Sequence, residues 1–277
     1  MGETATDQST PVTEGRRQRV RRETMVELKQ AALDEVRERG AVGLSLRSVA
    51  RRMGMSPAGL YRYVASREDL LTTLIAEGYQ DLGHHLEVAN GAPAHVGGVP
   101  DRPPPSPPVI AGPETDVADR TRAVALAYRH WAVSHPNEFG LLFGDPIPGY
   151  EAPTGGPTVA GMRRVGTGLA QPLVEAWQAG RVRTHPAMAD PELRAGLSPV
   201  LEFESELSVE AFGLFLLAWG RLHGQVSLEV FGHHRWLFPD GCEPLYRADV
   251  EMLLSELGLF DEPTGDGPGE PHGHDPA

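Results

Sequence analysis

Several helix starts fall close together in the segment GLSLRSVARRMGMSPAGLYRYVASREDLL, residues 43–71. Ser45 stands before a short run whose apolar residues are three and four apart, and Gly54 interrupts that run. Ser56 then precedes Pro57, a residue favoured at the first position of a helix. Because each start has its own capping residue, the segment predicts short helices joined by tight turns.

Helical periodicity also dominates the rest of the chain. The first helix is predicted from Arg16, with an apolar stripe that ends before Gly40, a residue suited to the position after a helix. Ser66 with Asp69 resembles a capping pair for a helix that runs to about Val88. Later helices are predicted at 116–134, within 135–144, and at 157–181, 190–202, 205–232 and 243–258. No alternation typical of a strand appears, so the predicted fold class is all-α.

Charge is distributed unevenly along the sequence. The whole chain carries a net charge of −13. Residues 16–67, however, contain 13 basic and 5 acidic residues, a net charge of +8, which leaves −21 for the remainder. A basic segment on an acidic body indicates a small part that binds nucleic acid, joined to a part that does not. A basic face that is merely solvated is the alternative.

Composition restricts the class of protein further. No apolar run reaches the roughly 18 residues of a membrane span, and the N-terminus has no apolar signal core. A cytoplasmic protein without a membrane partner is therefore expected. The single cysteine, Cys242, excludes an internal disulfide and a metal site built from several cysteines.

The turn at Gly54 and Met55 separates two short helices in the manner of a helix-turn-helix, whose second helix enters the major groove of DNA. With Leu60 and Val64 predicted to be buried, small and polar residues are left for the groove: Ala58, Gly59, Tyr61, Arg62 and Tyr63. Tyrosine hydroxyls can contact phosphates, and Arg47 can reach a guanine edge with two hydrogen bonds. Packing of the two tyrosines as half-buried aromatic residues is the alternative.

The segment 43–71 resembles the DNA-binding domain of the tetracycline-repressor (TetR-like) family of bacterial regulators. The resemblance lies in the Gly-Leu-Ser opening, the Val-Ala pair, the glycine turn, the Leu-Tyr-x-Tyr element and the Ser-Arg-Glu-x-Leu restart. The family often has Thr, His, Phe and Lys where this chain has Ser45, Tyr63, Val64 and Arg67. The resemblance implies a helical homodimer that reads a palindromic operator in double-stranded DNA.

The family's DNA contacts map by this resemblance onto ten positions: Ser45, Arg47, Ser48, Pro57, Ala58, Gly59, Tyr61, Arg62, Tyr63 and Arg67. The last of these stands at the start of the next helix and is expected to meet a phosphate. The arginine-rich start, Arg16 to Arg22, is either a flexible arm that contacts the minor groove or phosphates, or the helical beginning of the first helix. Both interpretations remain open.

Residues 216–233, LLAWGRLHGQVSLEVFGH, resemble a Trp-His-Gly type of C-terminal domain found in part of the same family, with Trp219, His223 and Gly224 as its signature. Small residues such as Gly220 lie between leucines and valines and allow another helix to approach closely. The predicted dimer interface comprises Leu214, Leu217, Leu222, Val226 and Val230, with Leu245, Val250, Leu253 and Leu257 of the last helix.

A ligand pocket is expected between the helices at 116–135, 157–181 and 205–220. Its candidate lining residues are apolar and mostly aromatic: Trp131, Phe139, Phe143, Met162, Leu169, Trp177, Phe212 and Trp219. Ordinary core packing is the alternative for each of them. The resemblance implies that ligand binding is coupled to separation of the DNA-reading heads. A small apolar or aromatic effector is therefore expected, and no cofactor.

Three other functions compete with this interpretation. Metal sensing is not favoured, because adjacent histidines such as His84 and His85 point in different directions on a helix. No phosphate-binding loop, nucleophile elbow or metal-binding histidine pair indicates an enzyme, and a site centred on His223 is the only catalytic alternative. A regulator without an effector, controlled by a protein partner or by its own abundance, is the third. A repressor is expected, although activation depends only on where the operator lies.

The predicted organisation is an N-terminal three-helix helix-turn-helix domain joined to a C-terminal helical domain for ligand binding and dimerisation. Its segments are a disordered tail at 1–15, the helix-turn-helix domain at 16–66, a connecting helix at 67–90, a Pro- and Gly-rich linker at 91–115, the ligand-binding and dimerisation domain at 116–260, and a disordered tail at 261–277.

Overall fold

A computed structural model describes residues 15–91, 115–204 and 208–259, with the backbone alone for 200–204. These residues form ten α-helices and no strand, which confirms the all-α prediction. The helices are α1 Arg16–Arg39, α2 Leu46–Arg52, α3 Pro57–Leu60, α4 Arg67–Ala89, α5 Val117–Ser134, α6 Pro136–Phe143, α7 Pro157–Gln178, α8 Pro191–Glu204, α9 Val209–Val230 and α10 Glu243–Glu256.

The observed helices agree with the predicted ones to within a few residues at each end. The predicted tails and nearly all of the predicted linker at 91–115 lie outside the described residues, as does the start of the helix predicted from 205. No helix in the described part of the chain is long and apolar enough to cross a membrane.

The described residues divide into two compact units, and the division differs from the predicted boundaries. The first unit contains residues 15–78 together with 137–159, a segment that was expected in the C-terminal domain. Leu142 packs so closely on Gly78 that a Cβ at position 78 would lie 2.8 Å from its Cδ1. The hydroxyls of Thr72 and Tyr150 lie 3.1 Å apart. These contacts explain why the segment belongs to the first unit.

The core of the first unit follows the predicted stripes. Leu28 and Ala32 of α1, Val49 of α2 and Leu60 of α3 are fully buried, and Leu70 of α4 joins them. Burial of side chains from all four helices fixes the arrangement of α2 and α3, which are too short to be stable alone.

The second unit contains residues 79–136 and 160–259 of the described chain, and α5, α9 and α10 pack together within it. Its largest fully buried side chains include Tyr128 and Trp131 of α5 and Tyr246 of α10. The Tyr246 hydroxyl donates a hydrogen bond to the Ala125 carbonyl at 3.0 Å, which ties α10 to α5.

A buried ion pair joins the same three helices. Arg129 of α5 donates to both carboxylate oxygens of Glu229 on α9, at 2.7 and 2.6 Å, and to Glu243 of α10 at 3.0 Å. Glu229 also accepts a hydrogen bond from the amide of Cys242, whose side chain is buried beside it. Both carboxylate oxygens of Glu229 are thus engaged, as a buried charge requires.

The structure corrects the predicted dimer interface. Val250, Leu253 and Leu257 of α10 are buried within their own unit, as are Leu214 and Val226 of α9. The reason is that both helices carry apolar residues on more than one face, and the sequence period does not say which face meets α5. The exposed apolar residues of this region are Leu216, Leu217, Leu228 and Phe231 of the α9 segment, Trp236 and Leu237 after it, and Leu245 and Met252 of α10.

Candidate nucleic-acid interface and apolar cavity

The turn between α2 and α3 has the geometry that the sequence predicts. Gly54 has a φ of +65°, which a residue with a side chain rarely adopts. The Met55 amide donates to the Ala50 carbonyl at 2.8 Å and closes the turn. Ser56 then caps α3, because its hydroxyl accepts a hydrogen bond from the Gly59 amide at 3.1 Å. The two helices therefore leave the turn as a helix-turn-helix.

Most of the predicted DNA contacts lie on an accessible face of these elements. Tyr61 is 57% exposed. The other exposed residues of the predicted set are Arg47, Pro57, Ala58 and Arg62, and those half-buried are Ser45, Tyr63 and Arg67. We call these residues without Arg67, and together with Tyr61, the recognition face, which has seven members. It combines arginines, two tyrosines and small residues on one short stretch of chain.

Two predicted contact residues are buried instead. Ser48 is only 7% exposed, and its hydroxyl accepts hydrogen bonds from Arg39 at 3.3 Å and Arg51 at 3.4 Å. Gly59 is also buried, and a Cβ there would lie 3.2 Å from the capping hydroxyl of Ser56. Both positions serve packing, because one orients two arginines and the other leaves room for the cap.

Arg67 has a different place from the one expected. Its guanidinium donates to the Leu44 carbonyl at 3.0 Å and to the Ala41 carbonyl at 2.9 Å, with a longer contact to the Val42 carbonyl. These carbonyls belong to the short 3₁₀ turn Ala41–Gly43 and the residue after it. Arg67 thus holds the approach to α2 in place, and its contact with a phosphate stays a prediction.

Arg21 belongs to the arginine-rich start and makes a contact that the sequence did not predict. Its guanidinium carbon lies 5.4 Å from the centre of the Tyr63 ring, and Nη1 donates to the Arg62 carbonyl at 3.4 Å. A cation over an aromatic ring is attracted to it electrostatically. Arg21 lies on α1 and Tyr63 in the turn that follows α3, far apart in the sequence, so no local pattern could reveal the contact. Since α1 begins at Arg16, the arginine-rich start is helical in the structure.

The arginines around the recognition face differ in how far they are neutralised. Arg52 binds Glu35 and Glu38, and these hydrogen bonds raise the pKa of Arg52. Arg47, in contrast, is exposed and makes no ion pair within the described residues, and the same holds for Arg17. The face therefore presents positive charge that no carboxylate of the described chain cancels.

A cavity lies within the second unit. It contains about 540 Å³ of space, part of which is open to solvent. Its walls come from α5, α7, α9 and α10 and the residue that follows α10. They are formed by Thr121, Val124, Ala125, Tyr128, Leu169, Leu173, Phe215, Ala218, Trp219, Leu222, Tyr246, Leu253 and Leu257. The part of this space that a water-sized sphere can occupy is about 60 Å³.

Two of the eight predicted pocket residues, Leu169 and Trp219, line this cavity. Trp131 is fully buried elsewhere, where its indole N–H donates to Asp81 at 2.6 Å and its ring stacks on His135. The remaining predicted residues also lie outside the lining: Phe139 and Phe143 pair in the first unit, Met162 is half exposed, Trp177 is half-buried, and Phe212 stacks on Phe215. Apolar character alone did not distinguish a cavity wall from ordinary packing.

A hydrogen-bonded chain of side chains stands beside the cavity. The Tyr128 hydroxyl lies 2.7 Å from His223 Nδ1, and His223 Nε2 lies 3.3 Å from the Ser227 hydroxyl. Trp219 stacks on His223 with ring centres 4.8 Å apart, and it meets Tyr128 edge-on at 5.2 Å. Trp219 and His223 of the predicted signature thus form one aromatic cluster with Tyr128.

Metal binding has no geometric support in the described part of the chain. No three His, Cys, Asp or Glu side chains there come close enough together to hold an ion. His85 and His135 are 6.3 Å apart between ring centres and do not form such a group.

Two family models match the chain. One, described as bacterial regulatory proteins of the tetR family, matches residues 28–74 and contains α2 and α3. The other, described as the tetracyclin repressor-like C-terminal domain, matches residues 121–253. Together they cover more than half of the chain. The chain belongs to the TetR-like family of transcriptional regulators.

Relatives of this TetR-like regulator are also named as regulators. HTH-type transcriptional regulator Rv1816 of Mycobacterium tuberculosis is 29% identical over 244 residues, which are 88% of this chain and 96% of the relative. The crystal structure of SCO4313, a presumed regulatory protein, has 29% identity and a TM-score of 0.60, and the match covers 87% of this chain and all of that one.

A more distant structure shows the fold alone. The transcriptional regulator FadR from Bacillus subtilis, solved in complex with stearoyl-CoA, is 13% identical with a TM-score of 0.54. The match covers 84% of this chain and 99% of FadR. The family assignment therefore rests on the two family models and the closer relatives, and it confirms the resemblance drawn from residues 43–71.

Proposed function

We propose that this DNA-binding regulator is a homodimeric repressor that leaves a palindromic operator when a small apolar molecule enters the cavity of the second unit. The observation that carries the proposal is the recognition face, where Arg47, Tyr61 and Arg62 are exposed at a helix-turn-helix and Arg47 has no carboxylate partner in the described chain. The cavity supplies a place for the effector.

The recognition face divides into contacts that specify and contacts that position. Arg47 can donate two hydrogen bonds to a guanine, and the rings of Tyr61 and Tyr63 can meet thymine methyls. We expect Ser45, Pro57, Ala58 and Arg62 to lie near the backbone of the duplex, where contacts fix register without reading sequence. Ala58 and Gly59 are small, so the start of α3 can approach the bases closely.

The homodimer is proposed from the exposed apolar residues on and after α9. Leu217 is 61% exposed, and Leu228 and Phe231 lie on the same side of the helix, about three and about four turns further on. A Cβ added at Gly220 would meet nothing within 4 Å, so a second helix can approach there. A contiguous apolar surface of this kind is typical of an interface.

Sedimentation at micromolar concentration tests the dimer. We expect a dimer for the natural chain and a monomer for Leu217→Glu, because a buried unpaired carboxylate opposes association. Val133→Glu, at an exposed position of α5, is the matched control and should leave the dimer intact. A natural chain that sediments as a monomer would refute this part of the proposal.

Effector action requires only a difference in affinity. A ligand shifts the regulator from DNA when it binds more tightly to the conformation that fits DNA poorly, and DNA then weakens ligand binding by the same factor. The second unit has the necessary cavity, and its walls include residues of α5, α7, α9 and α10.

Fluorescence anisotropy tests operator binding. The chain is titrated against DNA from upstream of its own gene and against scrambled DNA at about 150 mM salt, where specific and non-specific affinities should differ by at least roughly 10³. Tyr61→Ala should abolish the difference. Tyr61→Phe, which keeps the ring and removes the hydroxyl, separates a phosphate contact from a thymine contact.

Two results of these titrations would contradict different parts of the proposal. Equal binding of both DNAs would contradict an operator at that place. A specific complex that no small molecule releases would favour a regulator controlled by a protein partner or by abundance. Thermal-shift screening separates that case, because a bound effector raises the unfolding temperature by mass action.

A further inference from the structure

Among the described residues, the walls of the cavity contain no charged side chain. The thirteen described lining residues are apolar, aromatic or hydroxylated, and Thr121, Tyr128 and Tyr246 are the ones among them that bring a hydroxyl. A pocket for an anion or a cation normally supplies an opposite charge or several convergent hydrogen-bond donors.

The three polar groups already have partners within the protein. The Thr121 hydroxyl donates to the Val117 carbonyl at 2.8 Å, and the Tyr246 hydroxyl donates to the Ala125 carbonyl at 3.0 Å. The Tyr128 hydroxyl is 2.7 Å from His223 Nδ1. A ligand that bonded to these hydroxyls would have to compete with these partners.

Burial also keeps the walls neutral near pH 7. It raises the pKa of the Tyr128 hydroxyl and that of the Tyr246 hydroxyl far above the usual range. It lowers the pKa of the neighbouring His223 imidazole, which therefore carries no charge at neutral pH. Neither an anionic tyrosine nor a cationic histidine is available to a charged ligand.

The nearest arginines along α5 are bound to carboxylates. Arg120 donates to Glu175 at 2.5 Å, and Arg122 donates to both oxygens of Glu251 at 2.5 and 2.8 Å. They flank Thr121 in the sequence but are held by other helices. An anionic ligand could recruit one of them only by displacing its glutamate, which leaves that carboxylate without its partner.

We infer that the cavity takes an uncharged, largely apolar ligand with an aromatic or similarly flat ring, and that it rejects carboxylates and acyl-CoA esters of equal size. The ring follows from Trp219, which lines the cavity together with Tyr128, Phe215 and Tyr246, since aromatic walls bind flat rings by edge and face contacts. Any polar group of the ligand stays at the mouth. This inference rests on the proposed effector role of the cavity and names the chemistry of the effector.

Isothermal titration calorimetry with the full chain tests the inference at a pH of about 7.5, where His223 is neutral and a carboxylate is ionised. The probes are 2-methylnaphthalene, which is neutral, 2-naphthoate, which has the same ring system and a negative charge, and stearoyl-CoA. We expect the neutral probe to bind at least tenfold more tightly than either anion. Ala218→Trp, which fills the cavity, should abolish binding, and Val133→Trp, on the exposed surface of α5, should not.

A second variant keeps the test valid where Ala218→Trp does not fold. Leu169→Lys places a cation in the wall and should reverse the order, so that 2-naphthoate gains at least tenfold over its affinity for the natural chain. Equal or tighter binding of 2-naphthoate by the natural chain would overturn the inference, as would the failure of both naphthalene probes to bind.

The same titrations distinguish failure of the inference from failure of the proposed function. The neutral probe is added to the operator complex and followed by anisotropy. Binding without release of DNA supports the ligand class and refutes effector control by this cavity. Release of DNA by 2-naphthoate or stearoyl-CoA alone supports effector control and refutes the ligand class.

Discussion

Five arginines of the second unit and three of the first have opposite environments. In the second unit, arginines join helices: Arg129 binds Glu229, Arg120 binds Glu175, Arg122 binds Glu251, Arg164 binds Glu87 and Arg221 binds Asp249. In the first unit, Arg16, Arg17 and Arg47 are exposed and have no ion pair within the described residues.

The difference separates two uses of one side chain. An arginine whose charge is cancelled by a carboxylate on a neighbouring helix contributes to the fold, whereas an exposed one remains available to phosphates and bases. The net charge of −13 conceals this division, because the acidic residues are concentrated away from the recognition face. Substitutions in the second unit should therefore act on stability, and those at exposed arginines of the first unit on DNA binding.

The largest effect is expected at Arg129. Arg129→Met leaves Glu229 buried without its cation, and removing one partner of a buried pair costs about 3–5 kcal/mol of folding free energy. The double variant Arg129→Met/Glu229→Leu should recover a large part of the loss. Urea unfolding measures both. An Arg129→Met protein as stable as the natural chain would contradict the structural role of second-unit arginines.

The dependence of stability on acid pH tests the same role of the Arg129–Glu229 pair. Burial raises the pKa of Glu229, but the hydrogen bonds from Arg129 and from the Cys242 amide outweigh it, so the pKa lies below its usual value. Such a carboxyl contributes stability above its unfolded pKa of about 4.3 and loses that contribution as the pH falls through the folded pKa. The urea midpoint of the natural chain should thus fall more steeply below about pH 4 than that of the double variant.

Arg67 is expected to behave like an arginine of the second unit although it lies in the first. Arg67→Ala removes the donor to the Leu44 carbonyl, and an unpaired group of this kind costs about 1–3 kcal/mol, whereas the Ala41 carbonyl keeps the Leu44 amide as a donor. Arg37→Ala, at an exposed surface pair with Asp34, is the control and should change stability by less than about 0.5 kcal/mol. Uniform weakening of DNA binding at unchanged stability would instead restore the phosphate role expected from the sequence.

Arg47 should affect DNA binding and not stability. Arg47→Ala is expected to relax specificity at one base pair by about 1–3 kcal/mol, the worth of a bidentate contact to guanine. Competition titrations with operators altered one base pair at a time measure this change. An equal loss on specific and scrambled DNA would exclude Arg47 as a base reader.

The smallest effect is expected at the start of α1. Arg17→Gln should lower the dependence of affinity on salt by about one unit of slope if the side chain meets a phosphate, with little change in specificity. Arg19→Gln is a useful comparison, because Arg19 lies 3.8 Å from Glu23 and is partly neutralised. Identical slopes for Arg17→Gln and the natural chain would place this end of α1 away from DNA.

The helix-turn-helix could be predicted from the sequence because its determinants are local. Gly54 supplies the turn, and Ser56 caps α3 through the amide three residues further on. The roles of Ser48 and Arg67 could not be predicted in this way. Their partners, Arg39 and the Leu44 carbonyl, come from other parts of the chain and are set by how the helices pack.

The cavity was predictable only in part for a related reason. An apolar side chain in a helix satisfies a core and a cavity wall equally well, so Trp131 and Phe139 were as plausible from the sequence as Leu169 and Trp219. What distinguishes them is whether neighbouring helices leave space. That depends on the sizes of side chains brought together from α5, α7, α9 and α10.

The single thiol of Cys242 can report how often the surrounding part of the fold opens. Burial, followed by the nearby Glu229, raises the pKa of this thiol to about 11, so almost no reactive thiolate is present at neutral pH. Alkylation of the folded chain therefore requires the segment between α9 and α10 to open, and the rate of alkylation measures how often this opening occurs. Because Cys242 hardly reacts in the folded protein, a cysteine introduced on the surface would be the residue that takes a thiol-reactive fluorescent label.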